Sequence, residues 1–340
     1  MKAAVWNGPY DLSIQDVEVP SPGRGEVLIE TKAVGICGSD LEIYDGRFKQ
    51  SVPPLILGHE GGGIVHTVGD GVSMVHKGDR VSVECVLSCG RCEYCKKGLF
   101  GLCEIGGVLG MVGANGEYAE FFVAPEKNCH ILPDEISWPE AGLIDTLAGP
   151  AYAAAKLNFP LESSVAVFGP GPAGLFFCAL SKLRGAVKVF LVGTREYRLK
   201  HGPEYGADRL INVHEEDAVK TIKAETQGKG VDIVIEAAGS EEALNASLSV
   251  LKKGGVMLLY GVLGGGPISV NVQPIQMFEY TVLGSATVDY PPAIKLIKTG
   301  KIKVQNLVSH SLTLDQLPTA FSSGLIEKRH ENYMKGVVLF

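Results

Sequence analysis

Cys89, Cys92, Cys95 and Cys103 are spaced C-x2-C-x2-C-x7-C in the stretch SCGRCEYCKKGLFGLC. Four thiolates this close together suit one tetrahedral Zn²⁺ and leave no coordination position for a substrate. In a small secreted scaffold the same residues would form two disulfides, whereas neighbouring C-x2-C units in a long chain read as a metal site. The lobe at residues 85–105 is therefore expected to be a structural staple, not a reaction centre.

A second set of donors lies outside the lobe. Cys37 is in VGICGSD, His59 and Glu60 are in LILGHEGGGIV, and Asp145 is in GLIDTLAGPAYA. Thiolate, imidazole and carboxylate are sound Zn²⁺ ligands, and a catalytic zinc keeps one position for water or substrate. Taken singly, each also suits a plainer place: a buried thiol, a satisfied core histidine, a loop carboxylate. Spacing alone does not bring them together. Cys85, Cys129 and Cys178 read as packing residues, and His66, His76, His201, His214, His310 and His330 give no site signal.

The third set is glycine-rich. Gly169, Gly171 and Gly174, with Pro172 and Ala173 between them, form G-x-G-x-x-G after the apolar run SSVAVFG and before a helical stretch. That context lets the backbone approach a pyrophosphate and presents free helix N-terminal N–H groups to it. About 20 residues further on, an NAD site places a carboxylate on the ribose. Here Gly193, Thr194 and Arg195 occupy that position, with Arg198 close behind. Glycine leaves room, threonine donates a hydrogen bond and arginine offers a cation for a 2′-phosphate, so NADP(H) is predicted over NAD(H). Ala238 in IEAAG and Gly261 after VMLLY are further coenzyme-binding candidates.

The elements that position these residues follow two grammars. Up to about residue 148, short β-branched runs such as EVLIETKAVG and YAEFFVAP are punctuated by Gly and Pro, which predicts an all-β partial barrel. From residue 163, apolar runs at 165–168, 187–192, 232–237 and 256–261 alternate with helical stretches such as AGLFFCALSKLRG and EALNASLSVLKKG, the pattern of βαβ units on a parallel sheet. The expected division is a catalytic domain at 1–149, a coenzyme domain at 150–286 and a return to the first domain at 287–340.

The 340 residues carry 46% hydrophobic and 20% charged residues and a net charge of −7, as expected of a two-domain globular chain. The negative balance argues against nucleic acid or an anionic membrane as partner. No stretch approaches the roughly 18 apolar residues of a membrane span, and the N-terminus does not read as a signal peptide. A cytoplasmic location is expected, where thiolates bind metal instead of pairing.

The run Gly58 to Val72, G-H-E-x2-G-x5-G-x2-V, resembles the signature of zinc-dependent medium-chain alcohol and polyol dehydrogenases. Cys37-Gly38-Ser39-Asp40, the cysteine lobe, the Gly169 fingerprint and IEAAG occur in that family's order, so the resemblance spans essentially the whole chain. It implies a GroES-like catalytic domain, a Rossmann coenzyme domain and an active site in the cleft between them. By resemblance Cys37, His59 and Asp145 correspond to catalytic zinc ligands, with Glu60 a nearby or exchanging ligand, and Ser39 to the hydroxyl that takes the substrate proton. Glu42 stands where many relatives carry a relay histidine, and Asp145 where many polyol-type relatives carry Glu. The implied reaction is hydride transfer between a secondary alcohol and its ketone, with two Zn²⁺ per chain and NADP(H), in a homodimer or homotetramer. A polyol or sugar is favoured because Asp40, Glu42, Tyr44 and Asp45 fall near the expected pocket. Threonine, a simple secondary alcohol, NADPH binding without catalysis, or a zinc-free quinone or enone reductase are the alternatives.

Overall fold

The structure, a computed structural model, describes residues 1–262, 267–326 and 332–340, so His330 lies outside the described residues. The chain divides into two compact units, Met1–Ala148 with Val288–Phe340, and Gly149–Thr287.

The first unit is built on a largely antiparallel sheet. Its strand order is Cys129–Ile131, Arg80–Val83, Glu60–Val68, Glu26–Gly35, Lys335–Leu339 and Val308–Thr313, with Phe121–Pro125 also pairing with Glu26–Gly35. Val27, Ile29, Val65, Val81 and Phe122 from these strands share one buried cluster. A smaller sheet of Asp11–Asp16, Lys2–Gly8 and Leu55–Ile56 packs its apolar residues in a second cluster with Tyr118, Leu317 and Phe321.

Register is what positions chemistry here. Gly35 pairs with Glu60 on one side and with Val337 on the other, so the segments carrying Cys37, Glu60 and Lys335 meet at one end of the sheet. The glycines that follow Glu60 permit this close pairing. A Cβ on Gly63 would stand 1.9 Å from the Glu30 carbonyl oxygen, and one on Gly62 would stand 2.1 Å from that of Val81.

The second unit is a six-stranded parallel sheet. From edge to edge its strands are Arg209–Asn212, Lys188–Gly193, Ser164–Phe168, Val231–Glu236, Leu251–Leu259 and Thr281–Gly284. In chain order this is 3-2-1-4-5-6, the doubly wound arrangement, whose switch point lies between the first and fourth strands. Phe190, Ile211, Ile222, Val234, Leu244 and Leu248 lie in its buried core. The helical stretch expected to run through LKKG ends sooner. Helix Glu241–Val250 gives way directly to strand Leu251–Leu259, and Lys252 turns to pair with Asp232. Among the described residues no helix is long and apolar enough to cross a membrane.

Candidate active site

Cys37, His59 and Glu60 come together. One ligand atom from each lies within 4.8 Å of the other two, and His59 and Glu60 are buried. A thiolate, an imidazole and a carboxylate at this separation fit Zn²⁺ with room for a fourth ligand. Helix Gly38–Tyr44 begins immediately after Cys37, and the Asp40 carboxylate accepts the Cys37 backbone N–H at 2.9 Å, which fixes the thiol-bearing turn. Ser39 Oγ lies 3.3 Å from His59 Nε2, so the expected proton-accepting hydroxyl borders the cluster.

Around the donors, Tyr118, Lys335 and Thr146 were not assigned from sequence, and Asp40 takes a different role from the substrate contact expected of it. Asp40 is fully buried, with Oδ1 3.4 Å from His59 Nδ1 and Oδ2 accepting from Tyr118 Oη at 2.8 Å. Burial pushes its carboxyl up, but His59, the Cys37 N–H and Tyr118 together outweigh this and hold it below the usual range. The same pairing holds the His59 imidazole well above its ordinary value against the opposing effect of burial. Lys335, also buried, donates to Glu60 Oε2, while Thr146 Oγ1 donates to Oε1 at 3.3 Å. Glu60 is therefore clamped on both oxygens.

The structure departs from expectation at Asp145. Its carboxylate falls outside the three-residue cluster; Oδ1 accepts from Tyr290 Oη at 2.9 Å and faces Cys85 Sγ at 3.8 Å. Burial and then the charge of Glu60 push it up to about 6. Cys85, read as packing, is thus a neighbour of this carboxylate. The stretch expected to meet substrate hydroxyls is a second departure, because Asp40, Tyr44 and Asp45 are engaged within the fold. Asp40 supports His59, Tyr44 is buried edge-on against Tyr10 and Phe321, and Asp45 is bound by Arg47 at 2.7 Å. Glu42 is partly exposed, 3.9 Å from the same Arg47. None of these contacts links Glu42 to Ser39.

Cys89, Cys92, Cys95 and Cys103 form the other metal-capable group, and all four are free thiols. Cys89 and Cys95 sulfurs are 3.9 Å apart and those of Cys92 and Cys103 are 4.0 Å apart. A tetrahedron with Zn–S bonds of about 2.3 Å has edges of about 3.8 Å, so the sulfurs already outline a zinc site. Backbone N–H groups of Arg91 and Cys92 point at Cys89 Sγ, and that of Cys89 points at Cys103 Sγ. These amides hold the Cys89 and Cys103 thiols below their ordinary range.

In the second unit, Gly171 is the N-cap of helix Pro172–Leu183 at the end of strand Ser164–Phe168. Its two partner glycines are packing positions: a Cβ on Gly169 would meet the Ala237–Ala238 peptide at 2.7 Å, and one on Gly174 would meet the Gly169 carbonyl oxygen at 1.8 Å. Gly171 is different, since a Cβ there would meet only Arg198 Nη1, at 3.7 Å. The loop is open where a phosphate would approach, with a guanidinium beside it. Thr194 is exposed, Arg195 half-buried and Arg198 buried. Gly193 has a reason that sequence did not show: a Cβ there would strike the Pro170 ring at 2.4 Å. Glu236 Oε1 accepts the backbone N–H groups of Ala238 and Gly239 at 2.8 Å each, and its carbonyl accepts that of Gly261 at 2.8 Å. One residue thereby holds both later coenzyme candidates at the strand ends.

Residues 23–134 match the family described as "Alcohol dehydrogenase GroES-like domain", and residues 172–299 match "Zinc-binding dehydrogenase". The chain is 34% identical over 330 residues to sorbitol dehydrogenase of Bacillus subtilis (strain 168), covering 96% of this chain and 94% of that protein. A Sinorhizobium meliloti 1021 protein solved bound to NADP superimposes with a TM-score of 0.92 at 30% identity, covering 100% of this chain and 99% of that one. A short chain alcohol dehydrogenase of E. coli CFT073 complexed with NADH gives the same TM-score, 0.92, at 30% identity, again covering 100% and 99%.

Proposed function

The chain belongs to the zinc-dependent medium-chain alcohol and polyol dehydrogenases, and on that premise we propose that it interconverts a secondary alcohol, a polyol or sugar by preference, and its ketone with NADP(H). The observation that carries the reading is the convergence of Cys37, His59 and Glu60 beside Ser39. The polyol preference rests on the likeness to a sorbitol dehydrogenase and no longer on the acidic residues after Cys37. The coenzyme preference rests on Arg195 and on the Arg198 guanidinium next to Gly171, with no carboxylate at the end of strand Lys188–Gly193.

In this reading Cys37, His59 and Glu60 hold the catalytic Zn²⁺, and Cys89, Cys92, Cys95 and Cys103 hold a structural one. The bound zinc supplies Lewis acidity toward the substrate oxygen, and the nicotinamide supplies the hydride exchange. Ser39 Oγ accepts the proton that leaves the substrate hydroxyl while passing its own toward solvent, and the relay runs backwards in reduction. Asp40 orients the His59 ring and, through its bond to the Cys37 N–H, the thiolate as well. Lys335 and Thr146 fix the rotamer of Glu60. Asp145 stands by as a nearby carboxylate held by Tyr290. The loop at Gly171 and the two arginines hold the coenzyme phosphates.

The test is nicotinamide absorbance with NADP⁺ and NAD⁺ against polyols, sugars, threonine and simple secondary alcohols. Turnover with NADP⁺ on polyols is expected. His59→Ala is expected to abolish it while NADPH still binds. Equal efficiency with both coenzymes, unchanged in Arg195→Ala, would overturn the NADP reading; turnover that survives in His59→Ala would overturn the metal reading.

A further inference from the structure

Glu117 is fully buried in the first unit, and neither of its carboxylate oxygens has a hydrogen-bond partner. It lies against Gly61, the residue next to Glu60; a Cβ on Gly61 would stand 2.7 Å from Glu117 Oε2. The Gly61 amide faces the carboxylate without reaching hydrogen-bond geometry. Successive side chains of a strand point to opposite faces, so Glu117 occupies the face of strand Glu60–Val68 away from the Glu60 side chain and its Lys335 partner. Its backbone N–H donates to the carbonyl of Gly58, the residue before His59, at 2.9 Å, and His59, Asp145 and Glu60 are among the charges around it.

Burial pushes the Glu117 carboxyl well above its ordinary value; a buried carboxylate with no partner is strongly destabilising, so such a group takes up a proton unless a cation answers it. The nearby protein cations are already engaged, Lys335 with Glu60 and His59 with Asp40. We propose that Glu117 is the charge-balancing carboxylate of the metal centre, an outer-sphere anion whose partner is the divalent cation held by Cys37, His59 and Glu60. It touches none of the reacting atoms. Its role is to raise metal affinity, and Gly61 is the space that admits it. This rests on the metal-centre reading above.

The role has a signature that a packing residue lacks, because the neutral isostere shifts two quantities in opposite directions. In Glu117→Gln the protein with the Cys37 site empty melts higher than wild type, since an unanswered buried carboxylate is gone. The same variant binds Zn²⁺ at that site about 10–100-fold more weakly, the range seen when groups behind a metal's ligands are removed. Glu117→Met, which fills similar volume without polar atoms, shows the same pair of shifts and serves if the Gln variant folds poorly. The measurement is Zn²⁺ competition against a chelator, with the site identified as the binding phase missing in Cys37→Ala, and thermal melting before and after metal is added. Unchanged Zn²⁺ affinity in both variants, or a lower melting temperature of both in the empty state, overturns the proposal. A wild-type protein with no Zn²⁺ phase that depends on Cys37 overturns the metal-centre reading itself, and the assignment of Glu117 with it.

Discussion

Asp40 concentrates the residue-scale argument. One carboxylate caps the turn that carries Cys37, faces the His59 ring and takes the Tyr118 hydroxyl, all without exposure to solvent. In Asp40→Asn the shape survives but the charge opposite His59 is lost, so the ring loses its electrostatic anchor. Metal affinity is expected to fall by about 10–100-fold, and turnover with it, read by chelator competition and kcat in parallel. Intact affinity with lost turnover would instead place Asp40 in proton transfer. The spacing Cys37-x-x-Asp40 resembles a helix-capping pattern, a donor turn answered by an acid three residues on, so this role was legible where a substrate contact was expected. Lys335 was not legible. It reaches Glu60 across 275 residues of sequence, and only the register of Gly35 against both Glu60 and Val337 brings the two together. Glu117 was likewise hidden, since nothing in NGEYAEFF marks a carboxylate that will be buried.

At the scale of elements, the parallel sheet was readable at four strands, each carrying a near-continuous apolar run flanked by helical periodicity, and not at its edge strands Arg209–Asn212 and Thr281–Gly284. Its switch point is fastened by a polar clasp. Asp232 accepts from the Ser164 backbone N–H at 2.8 Å and its hydroxyl at 2.7 Å, and pairs with Lys252, so one side chain ties the first, fourth and fifth strands. Burial opposes ionisation of Asp232, but Lys252 and then Ser164 outweigh it and lower its pKa. A depressed carboxyl stabilises the fold above its unfolded value of about 3.9 and loses that contribution as pH falls through the folded value. Asp232→Asn is therefore expected to cost about 1–3 kcal/mol at neutral pH, a gap that closes below about pH 4. Urea unfolding of both proteins across pH would show it; a pH-independent gap would make the clasp purely steric. Gly193 illustrates what periodicity cannot show. Sequence reads it as room for a phosphate, whereas the fold requires it first as clearance for Pro170.

At the scale of the molecule, the two metal-capable groups carry different burdens. Around the cysteine lobe the elements are short, among them strands Val86–Leu87, Gly107–Leu109 and Gly113–Ala114 and helix Glu93–Lys96, and a Zn²⁺ held by the four sulfurs would tie them together. Since a structural zinc contributes folding energy, Cys92→Ser is expected to lower thermal stability and to make the lobe protease-sensitive while NADPH binding persists. A Cys37→Ala protein, which breaks no buried ion pair, should melt nearly as wild type. If Cys92→Ser melted unchanged, the lobe would not be a staple. The proximity of the lobe's donors was legible at once, because four cysteines within fifteen residues encode it, whereas Cys37, His59 and Glu60 needed the sheet to meet.

The first unit is assembled from two separated stretches of chain, with the strand Lys335–Leu339 slotted between Glu26–Gly35 and Val308–Thr313. During synthesis the ribosome releases Cys37, His59 and Glu60 early, then the whole of Gly149–Thr287, and Lys335 only afterwards. The nucleotide-binding unit is contiguous and can complete its fold on the emerging chain. The catalytic unit must wait with its central sheet open beside Gly35 and Glu60 unclamped. In the nascent chain the second unit can thus fold before Glu60 meets Lys335, and strand Lys335–Leu339 closes the sheet that brings the two together.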